Sequence, residues 1–153
     1  MNTIHALRQS APSVTQEISS PSVSVFWLDR NQIRHRLKMA VQRLAQTHPE
    51  IEEVWLFGSL ARGDATPGSD ADLMVVLSDT RLAFLDRCAH YQPEFCGIGV
   101  DVLAYTLAEL AQMRAEGSVF LRQVRAEGVC LFRRVNRPEA EQAPTQDFAG
   151  SRS

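Results

Sequence analysis

The sequence has few cysteines and no long apolar run. Its three cysteines, Cys88, Cys96 and Cys130, form an odd number without a C-x-x-C pair. This disfavours a disulfide framework or a zinc site and is typical of a reducing compartment. No segment approaches the roughly 18 apolar residues of a membrane span, and residues 1–22 lack the continuous apolar region of a signal peptide. We therefore expect a cytoplasmic protein with no membrane partner.

A strong net charge is also missing. The 16 lysines and arginines nearly balance the 18 aspartates and glutamates, which gives a formal net charge of −2. The field of the whole protein therefore does not attract nucleic acid or an anionic membrane, and we expect no strong nucleic-acid binding. With 153 residues, 44% of them hydrophobic, the chain has the length of one domain with a sizeable core.

The histidines have no spacing typical of metal ligands. His35 and His90 fall in predicted helices, His48 precedes a proline, and His5 lies near the N-terminus. We expect all four to be structural or solvent-facing.

Apolar periodicity and turn residues predict helices and strands between two tails. We expect flexible tails at residues 1–28 and 135–153 and one domain over residues 29–134. Helices are predicted over residues 30–48, 59–62, 80–92, 106–115 and 118–127, and strands over 52–57, 72–77, 100–105 and 129–132. This mixture of elements predicts an α/β (α+β) fold.

For two of the predicted helices, the sequence also predicts which residues face the core or the surface. The helix over 80–92 is capped by Asp79 or Thr80, and its inward residues are predicted to be Leu82, Phe84, Leu85 and Cys88. The helix over 30–48 begins at a capping box and has a basic outer face. The basic residues are Arg30, Arg34, Arg36, Lys38 and Arg43. A solvated surface and a face that contacts RNA or a partner both explain them.

The residues with an evident chemical use lie within residues 54–77. Gly58 and Ser59 follow an apolar strand and open a short helix, where a phosphate can approach the backbone closely and free N–H groups favour the anion. Asp70 and Asp72 stand two apart at the start of a strand, so both carboxylates point to the same face. Like charges repel, and Mg²⁺ is commonly held by one or two carboxylates plus substrate phosphates. This combination predicts nucleotidyl transfer.

A family resemblance is carried by Gly58-Ser59, Gly63 and Ser69-Asp70-Ala71-Asp72. These residues resemble the signature of the DNA polymerase beta superfamily of nucleotidyltransferases and, in its fuller form, the minimal nucleotidyltransferase (MNT) branch. The resemblance covers roughly residues 30–133. It implies a polymerase beta-like fold with a small mixed sheet flanked by helices. The family also has a third carboxylate on the strand beside the aspartate pair, and Asp101 matches it.

The resemblance implies a two-metal Mg²⁺ site at the three aspartates. Asp70 and Asp72 would hold the ion that binds the β- and γ-phosphates of ATP, and with Asp101 they would form a second ion position. Alternatively, Asp101 acts as the general base for the attacking hydroxyl.

The expected nucleotide-binding residues are Gly58, Ser59, Arg62 and Ser69. Arg62 either neutralises phosphate charge or pairs with Asp64 or Asp70. Ser69 has a competing interpretation as a loop cap.

The resemblance further implies an antitoxin of a two-gene toxin–antitoxin module. Such a protein would transfer AMP from ATP to a tyrosine of a helical HEPN ribonuclease toxin and form a hetero-oligomer with it. Two alternatives stay open at this point. One is a small-molecule nucleotidyltransferase of the aminoglycoside type, and the other is an antitoxin that neutralises its partner by binding alone.

Overall fold

A computed structural model describes residues 15–20, 23–94 and 96–135, with side chains placed from residue 29 onward. Residues 1–14 and the predicted C-terminal tail from residue 136 lie outside this part of the chain. In chain order the elements are β1 (Thr15–Ser20), β2 (Val23–Leu28), α1 (Arg30–Thr47), β3 (Ile51–Phe57), α2 (Gly58–Arg62), β4 (Ala71–Leu77), α3 (Phe84–His90), β5 (Val100–Thr106), α4 (Leu107–Ala115), α5 (Val119–Glu127) and β6 (Val129–Arg133).

The segment predicted as an N-terminal tail contains two strands. β1 and β2 pair antiparallel, with Thr15 opposite Leu28 and Ser20 opposite Val23. This hairpin is not predicted from the sequence, because the serine-rich composition around it is typical of irregular segments. The β-branched residues in both strands are compatible with an extended backbone.

A four-stranded mixed sheet forms the centre of the fold. Its strand order is β5-β4-β3-β6, with β4 and β5 parallel and the other pairs antiparallel. The predicted small mixed sheet flanked by helices is thereby confirmed. Because β4 is central and mostly apolar, it is buried on both faces, as its continuous run of hydrophobic residues requires.

Helices cover both faces of this sheet. On one face α1 packs against alternate residues of β4, and the buried residues there include Ile33, Leu37, Leu73, Val75 and Leu77. On the other face α4 and α5 cover the intervening positions, with a smaller cluster formed by Met74, Val76, Leu110, Leu121 and Val124. The alternation follows from the period of two in a strand.

Side-chain caps fix where two of the helices begin. Asp29 caps α1 by accepting a hydrogen bond from the backbone N–H of Gln32 at 3.2 Å. At α4 the Thr106 hydroxyl accepts from the N–H of Glu109 at 3.1 Å, and the Glu109 carboxylate accepts from the N–H of Thr106 at 2.8 Å. This reciprocal capping box confirms the predicted start of α4.

The prediction for the third helix is wrong in its start and in three of its four inward residues. Leu82 packs against the core as predicted, whereas Phe84, Leu85 and Cys88 are exposed. The helix α3 begins at Phe84, after an Ala83 N-cap without a side-chain hydrogen bond. Phe84 is 40% exposed and Leu85 is 82% exposed, whereas Arg87 is only 6% exposed. An arginine therefore occupies the inward position that the hydrophobic pattern assigned to apolar residues.

Arg87 is buried because it satisfies polar groups at the edge of the sheet. Its guanidinium donates to the Ala104 carbonyl of edge strand β5 at 3.1 Å and to the Leu82 carbonyl at 3.0 Å. It also forms a bidentate pair with Glu109 at 2.7 and 3.0 Å. The planar fork matches a carboxylate, and the resulting hydrogen bonds stabilise both ions. The pair thus joins α3, β5 and the start of α4.

Two further features concern the cysteines and the length of the helices. The three cysteines are free, with Cys96 buried and Cys88 and Cys130 exposed. Within residues 15–20, 23–94 and 96–135, no helix combines the length and apolar character needed to cross a bilayer.

Candidate functional site

The three aspartates come together where β4 and β5 begin. Asp70 immediately precedes β4, Asp72 is its second residue, and Asp101 is the second residue of β5. The parallel register places Asp72 directly opposite Asp101. A hydrogen bond of 2.8 Å from the Ala71 N–H to the Gly99 carbonyl aligns the two strand starts. Asp72 and Asp101 therefore project from adjacent positions on one face of the sheet.

The neighbouring carboxylates affect the ionisation of Asp72. Burial raises the pKa of Asp72 above its ordinary range, and the neighbouring charges of Asp101 and Asp70 raise it further, while Arg62 acts in the opposite direction. Asp70 and Asp101 are exposed and Asp72 is half-buried. Such crowding of negative charge destabilises the ionised form of Asp72 unless a cation is bound. Three hard oxygen donors at one surface fit the preference of Mg²⁺.

The Gly58–Ser59 turn lies directly against the Asp72 carboxylate. Gly58 has a φ of 73°, and a Cβ atom placed on it would overlap the Oδ2 atom of Asp72 and lie 3.2 Å from its Cγ. The preceding residue, Phe57, is the cross-strand partner of Asp72. Glycine is thus required both by the left-handed backbone and by the approach of the aspartate. The turn predicted to bind phosphate and the aspartates predicted to bind metal are therefore adjacent in the structure.

Replacing Gly58 with alanine should damage activity more than stability. We expect a loss of about 1–2 kcal/mol in the free energy of unfolding, the usual cost of a left-handed backbone for an L-residue. Nucleotidyl transfer should fall about 100-fold, because the new methyl group displaces the Asp72 carboxylate. Urea unfolding and a labelled-nucleotide transfer assay measure the two effects.

Gly117→Ala is the matched control for this variant. Gly117 has a φ of 75°, but a Cβ there meets nothing within 4 Å. It should therefore show a similar loss of stability with transfer unchanged. Equal transfer by the two variants would contradict the role assigned to the contact between Gly58 and Asp72.

Helix α1 fixes the short helix α2 from outside. The Arg34 guanidinium donates to the carbonyls of Leu60 and Ala61 at 2.7 and 2.8 Å, and Arg30 donates to the Gly63 carbonyl. These carbonyls lie at the C-terminal end of α2, where they have no partners within the helix. Arg30 and Arg34, here called the guanidinium clasp, therefore stabilise the element that begins at Gly58.

The clasp revises the interpretation of the basic face of α1. Arg30 and Arg34 are committed to internal hydrogen bonds, and Arg43 pairs with Glu94. Arg36 and Lys38 are exposed. The clasp was not predicted from the sequence as part of the site. The spacing of four between the two arginines, which places them on one side of a helix, was the available signal.

Replacing Arg34 with alanine should loosen α2. We expect a loss of about 1–2 kcal/mol in the free energy of unfolding, since two hydrogen bonds from a charged group disappear at a half-buried position. If the Gly58–Ser59 turn binds phosphate as predicted, the KM for the nucleotide should rise severalfold, because this turn is less well ordered. Lys38→Ala, on the exposed side of the same helix, should change neither quantity. If the two variants behave alike in chemical unfolding and nucleotide titration, the clasp does not position α2.

The remaining predicted nucleotide ligands have partners within the protein. Arg62 donates to Glu127 at 3.1 Å and to Asp64 at 3.3 Å. The contact with Asp64 is one of the two pairings considered as alternatives to a phosphate contact. The Ser69 hydroxyl accepts from the Thr66 N–H at 3.0 Å and lies 3.2 Å from its hydroxyl. Ser69 therefore acts as a loop cap here, and its contact with nucleotide stays a prediction.

A comparison with protein families gives one match. The profile described as "Polymerase beta, Nucleotidyltransferase" matches residues 40–137, which is more than half of the chain. The matched range includes the Gly58–Ser59 turn and all three aspartates. Among curated proteins, no relative is matched significantly.

Solved structures with a similar chain have low sequence identity. A protein provisionally assigned as a nucleotidyltransferase from Sulfolobus solfataricus is 22% identical over 69% of this chain and 84% of that chain, with a TM-score of 0.48. A toxin–antitoxin complex with AMP-PNP is 21% identical over 63% and 73%, with a TM-score of 0.46. A complex of tri-AMPylated Shewanella oneidensis HEPN toxin with MNT antitoxin is 17% identical over 69% and 73%, with a TM-score of 0.41. These values do not extend the activities of those proteins to this chain.

Proposed function

Because the chain belongs to the polymerase beta nucleotidyltransferase family, we propose that it is a Mg²⁺-dependent protein adenylyltransferase that transfers AMP from ATP to a tyrosine of a HEPN-type toxin and thereby neutralises it. The observation that carries the nucleotidyl transfer is the alignment of Asp72 with Asp101, next to Asp70 and against the Gly58 turn. The choice of a toxin as acceptor rests on the resemblance of the motif to MNT antitoxins.

The proposed chemistry assigns one task to each site residue except Asp101, which both binds the ion and accepts a proton. Asp70, Asp72 and Asp101 would hold Mg²⁺, which when bound neutralises the phosphate charge and makes the acceptor hydroxyl more acidic. Gly58 and Ser59 would bind the terminal phosphates through backbone N–H groups. The acceptor hydroxyl oxygen attacks the α-phosphorus, and the bond from that phosphorus to the bridging oxygen of the β-phosphate breaks. Pyrophosphate leaves.

The proton of the acceptor hydroxyl also needs a destination in this reaction. The Asp101 carboxylate is exposed at the start of β5 and would accept it as general base. Arg62 would exchange its Glu127 partner for a phosphate oxygen, since its guanidinium is suited to both.

The accessibility of the aspartates supports a protein acceptor. Asp70 and Asp101 are exposed, so a side chain on another protein can reach them. A row of aromatic rings leads away from the site, with Phe57–Phe120, Phe120–Tyr105 and Tyr105–Phe84 centroid distances of 5.4, 6.0 and 5.2 Å. Leu85 follows Phe84 and Val119 precedes Phe120 in the chain, and they are 82% and 68% exposed. Contiguous exposed apolar patches mark protein-binding surfaces, and we propose that these residues form one.

Differently labelled ATP tests the transfer. ATP labelled at the α-phosphate should label the toxin encoded beside this protein, whereas ATP labelled at the γ-phosphate should not. Asp70→Asn with Asp72→Asn should abolish the label. If that double variant still neutralises the toxin in cells, the protein acts by binding alone. Pyrophosphate release that depends on an aminoglycoside and not on the toxin would instead favour a small-molecule acceptor.

A surface variant tests the proposed partner face. Val119→Glu should reduce labelling of the toxin while leaving nucleotide binding unchanged. Val135→Glu is the matched control, because Val135 is 87% exposed and follows β6. Equal labelling by both variants would place the partner elsewhere.

A further inference from the structure

Two histidines and a glutamate converge at the end of the sheet opposite the aspartates. His48 is the C-cap of α1, Glu50 precedes β3, and His90 is the last residue of α3. One nitrogen of each histidine and one carboxylate oxygen of Glu50 lie within 4.8 Å of one another. We call these three residues the His–Glu–His cluster. The two histidines are 42 residues apart in the sequence, so a search for closely spaced metal ligands does not find this grouping.

Contacts around the cluster hold two of its members in place. The Tyr91 hydroxyl donates to Oε1 of Glu50 at 2.9 Å, and Nδ1 of His48 lies 3.2 Å from the same oxygen. The backbone of this turn is fixed by hydrogen bonds from Ile51 N–H to the His48 carbonyl and from Ser78 N–H to the Glu50 carbonyl, at 3.0 and 2.8 Å. Ligands fixed in this way bind a metal with little reorganisation.

The position of His90 is not explained by this hydrogen-bond network. Its ring meets His48 edge-on at a centroid distance of 5.0 Å and Tyr91 at 4.8 Å, although His90 itself is exposed. Imidazole nitrogens and a carboxylate oxygen are ligands for borderline divalent ions such as Zn²⁺ rather than for Mg²⁺. Metal–ligand bonds of about 2.0–2.2 Å place tetrahedral ligands about 3.3–3.5 Å apart. The ligand atoms lie within 4.8 Å of one another, and a small rotation of the exposed His90 side chain brings its nitrogen to the shorter distance.

We propose that His48, Glu50 and His90 bind a Zn²⁺ ion, with a water molecule in the fourth position. The Tyr91 hydroxyl is a positioning group that orients the Glu50 carboxylate. The ion would join the ends of α1 and α3 to the start of β3. Because β3 spans seven residues, the site lies about 20 Å from the Gly58 turn. This zinc site is therefore separate from the aspartates and does not depend on the proposed transferase activity.

Cobalt substitution tests the ligand set. Co²⁺ is added to the purified chain with Mg²⁺ in excess, so that the aspartates are offered their preferred ion. We expect the d–d absorption of tetrahedral Co²⁺ without a thiolate charge-transfer band, and its displacement by one equivalent of Zn²⁺. A thiolate band would assign the metal to a cysteine and overturn the proposal, as would the absence of tetrahedral absorption.

Single variants identify the ligands. His90→Ala should weaken Zn²⁺ binding by at least about 100-fold, since loss of a partner outside the ligand shell alone costs 10–100-fold. His35→Ala is the matched control, because His35 is exposed on α1 outside the cluster. Equal affinity of the two variants would overturn the proposal. Glu50→Gln, which keeps an acceptor for Tyr91, should also weaken binding and so separates ligation from folding.

Thermal unfolding provides a second readout. Zn²⁺ at about 100 times its Kd should raise the Tm of the wild-type chain by about 5–10 °C, because the ion binds the folded state alone. The His35→Ala variant should show the same shift, whereas His90→Ala should shift by no more than about 2 °C at the same Zn²⁺ concentration. An equal shift in His90→Ala would mean that Zn²⁺ binds elsewhere.

Discussion

Replacement of Asp72 with asparagine is expected to reduce nucleotidyl transfer by about 10³–10⁴-fold. The reason is the loss of one of three carboxylates at the proposed Mg²⁺ site, which removes several kcal/mol of transition-state stabilisation. Asparagine has nearly the shape of aspartate, so the contact with Gly58 is kept and the charge alone changes. The rate of label transfer from ATP to the toxin at saturating ATP measures the effect.

The control for this variant is Asp86→Asn, on the exposed first turn of α3, which should transfer at the wild-type rate. Asp72→Asn should also be at least as stable as the wild type without metal. The folded state raises the pKa of Asp72, so at neutral pH its ionised form opposes folding, and removing the charge relieves this. A variant that is inactive because it is unfolded would instead show a lower Tm.

Replacement of Arg87 with alanine is expected to lower the free energy of unfolding by about 3–4 kcal/mol. The arginine side chain is 8% exposed and its Glu109 partner 40% exposed. The variant therefore leaves a partly buried carboxylate without its cation and the Ala104 carbonyl without its donor. Breaking one side of a buried pair costs about 3–5 kcal/mol, and the exposure of Glu109 places this case at the lower end. Urea unfolding measures it.

Arg43→Ala provides the surface comparison, because both partners of the Arg43–Glu94 pair are more than half exposed. We expect a change of about 0–1 kcal/mol. The effect at Arg87 should also depend on pH. The hydrogen bonds from Arg87 hold the pKa of Glu109 below its ordinary value of 4.5, so this stabilisation is present above that value and is lost as the pH falls through the lowered pKa. A difference between wild type and Arg87→Ala that persists unchanged at lower pH would contradict this account.

Local patterns were sufficient to predict the central strands and the stretch that contains most of the candidate site residues. Glycines lie between the apolar runs around residues 51–57 and 71–77, and two of the aspartates stand at the start of the second run, so both strands and these candidate residues are encoded within about 25 residues. The pairing of Asp101 with Asp72 followed from the resemblance to known nucleotidyltransferases and is matched by the strand register.

Contacts between residues that are distant in the sequence could not be predicted from local patterns. Leu85 fits a helical apolar pattern, but the edge of β5 needs donors for its carbonyls, and Arg87 therefore takes the inward position. The guanidinium clasp joins residues 26 to 33 positions apart. In each case a backbone carbonyl without a local hydrogen-bond donor accepts from an arginine that is distant in the sequence. Hydrophobic periodicity does not show which carbonyls lack a donor.

The guanidinium clasp also limits how the chain can be shortened or reused. A helix of five residues is too short to hold its shape unaided, so a transplanted cassette that contained the Gly58–Asp72 stretch alone would lose its geometry. The smallest portable catalytic fragment must start upstream of Arg30 and retain Arg34. Any fusion partner attached at the N-terminus should be joined before the Asp29 cap rather than within α1.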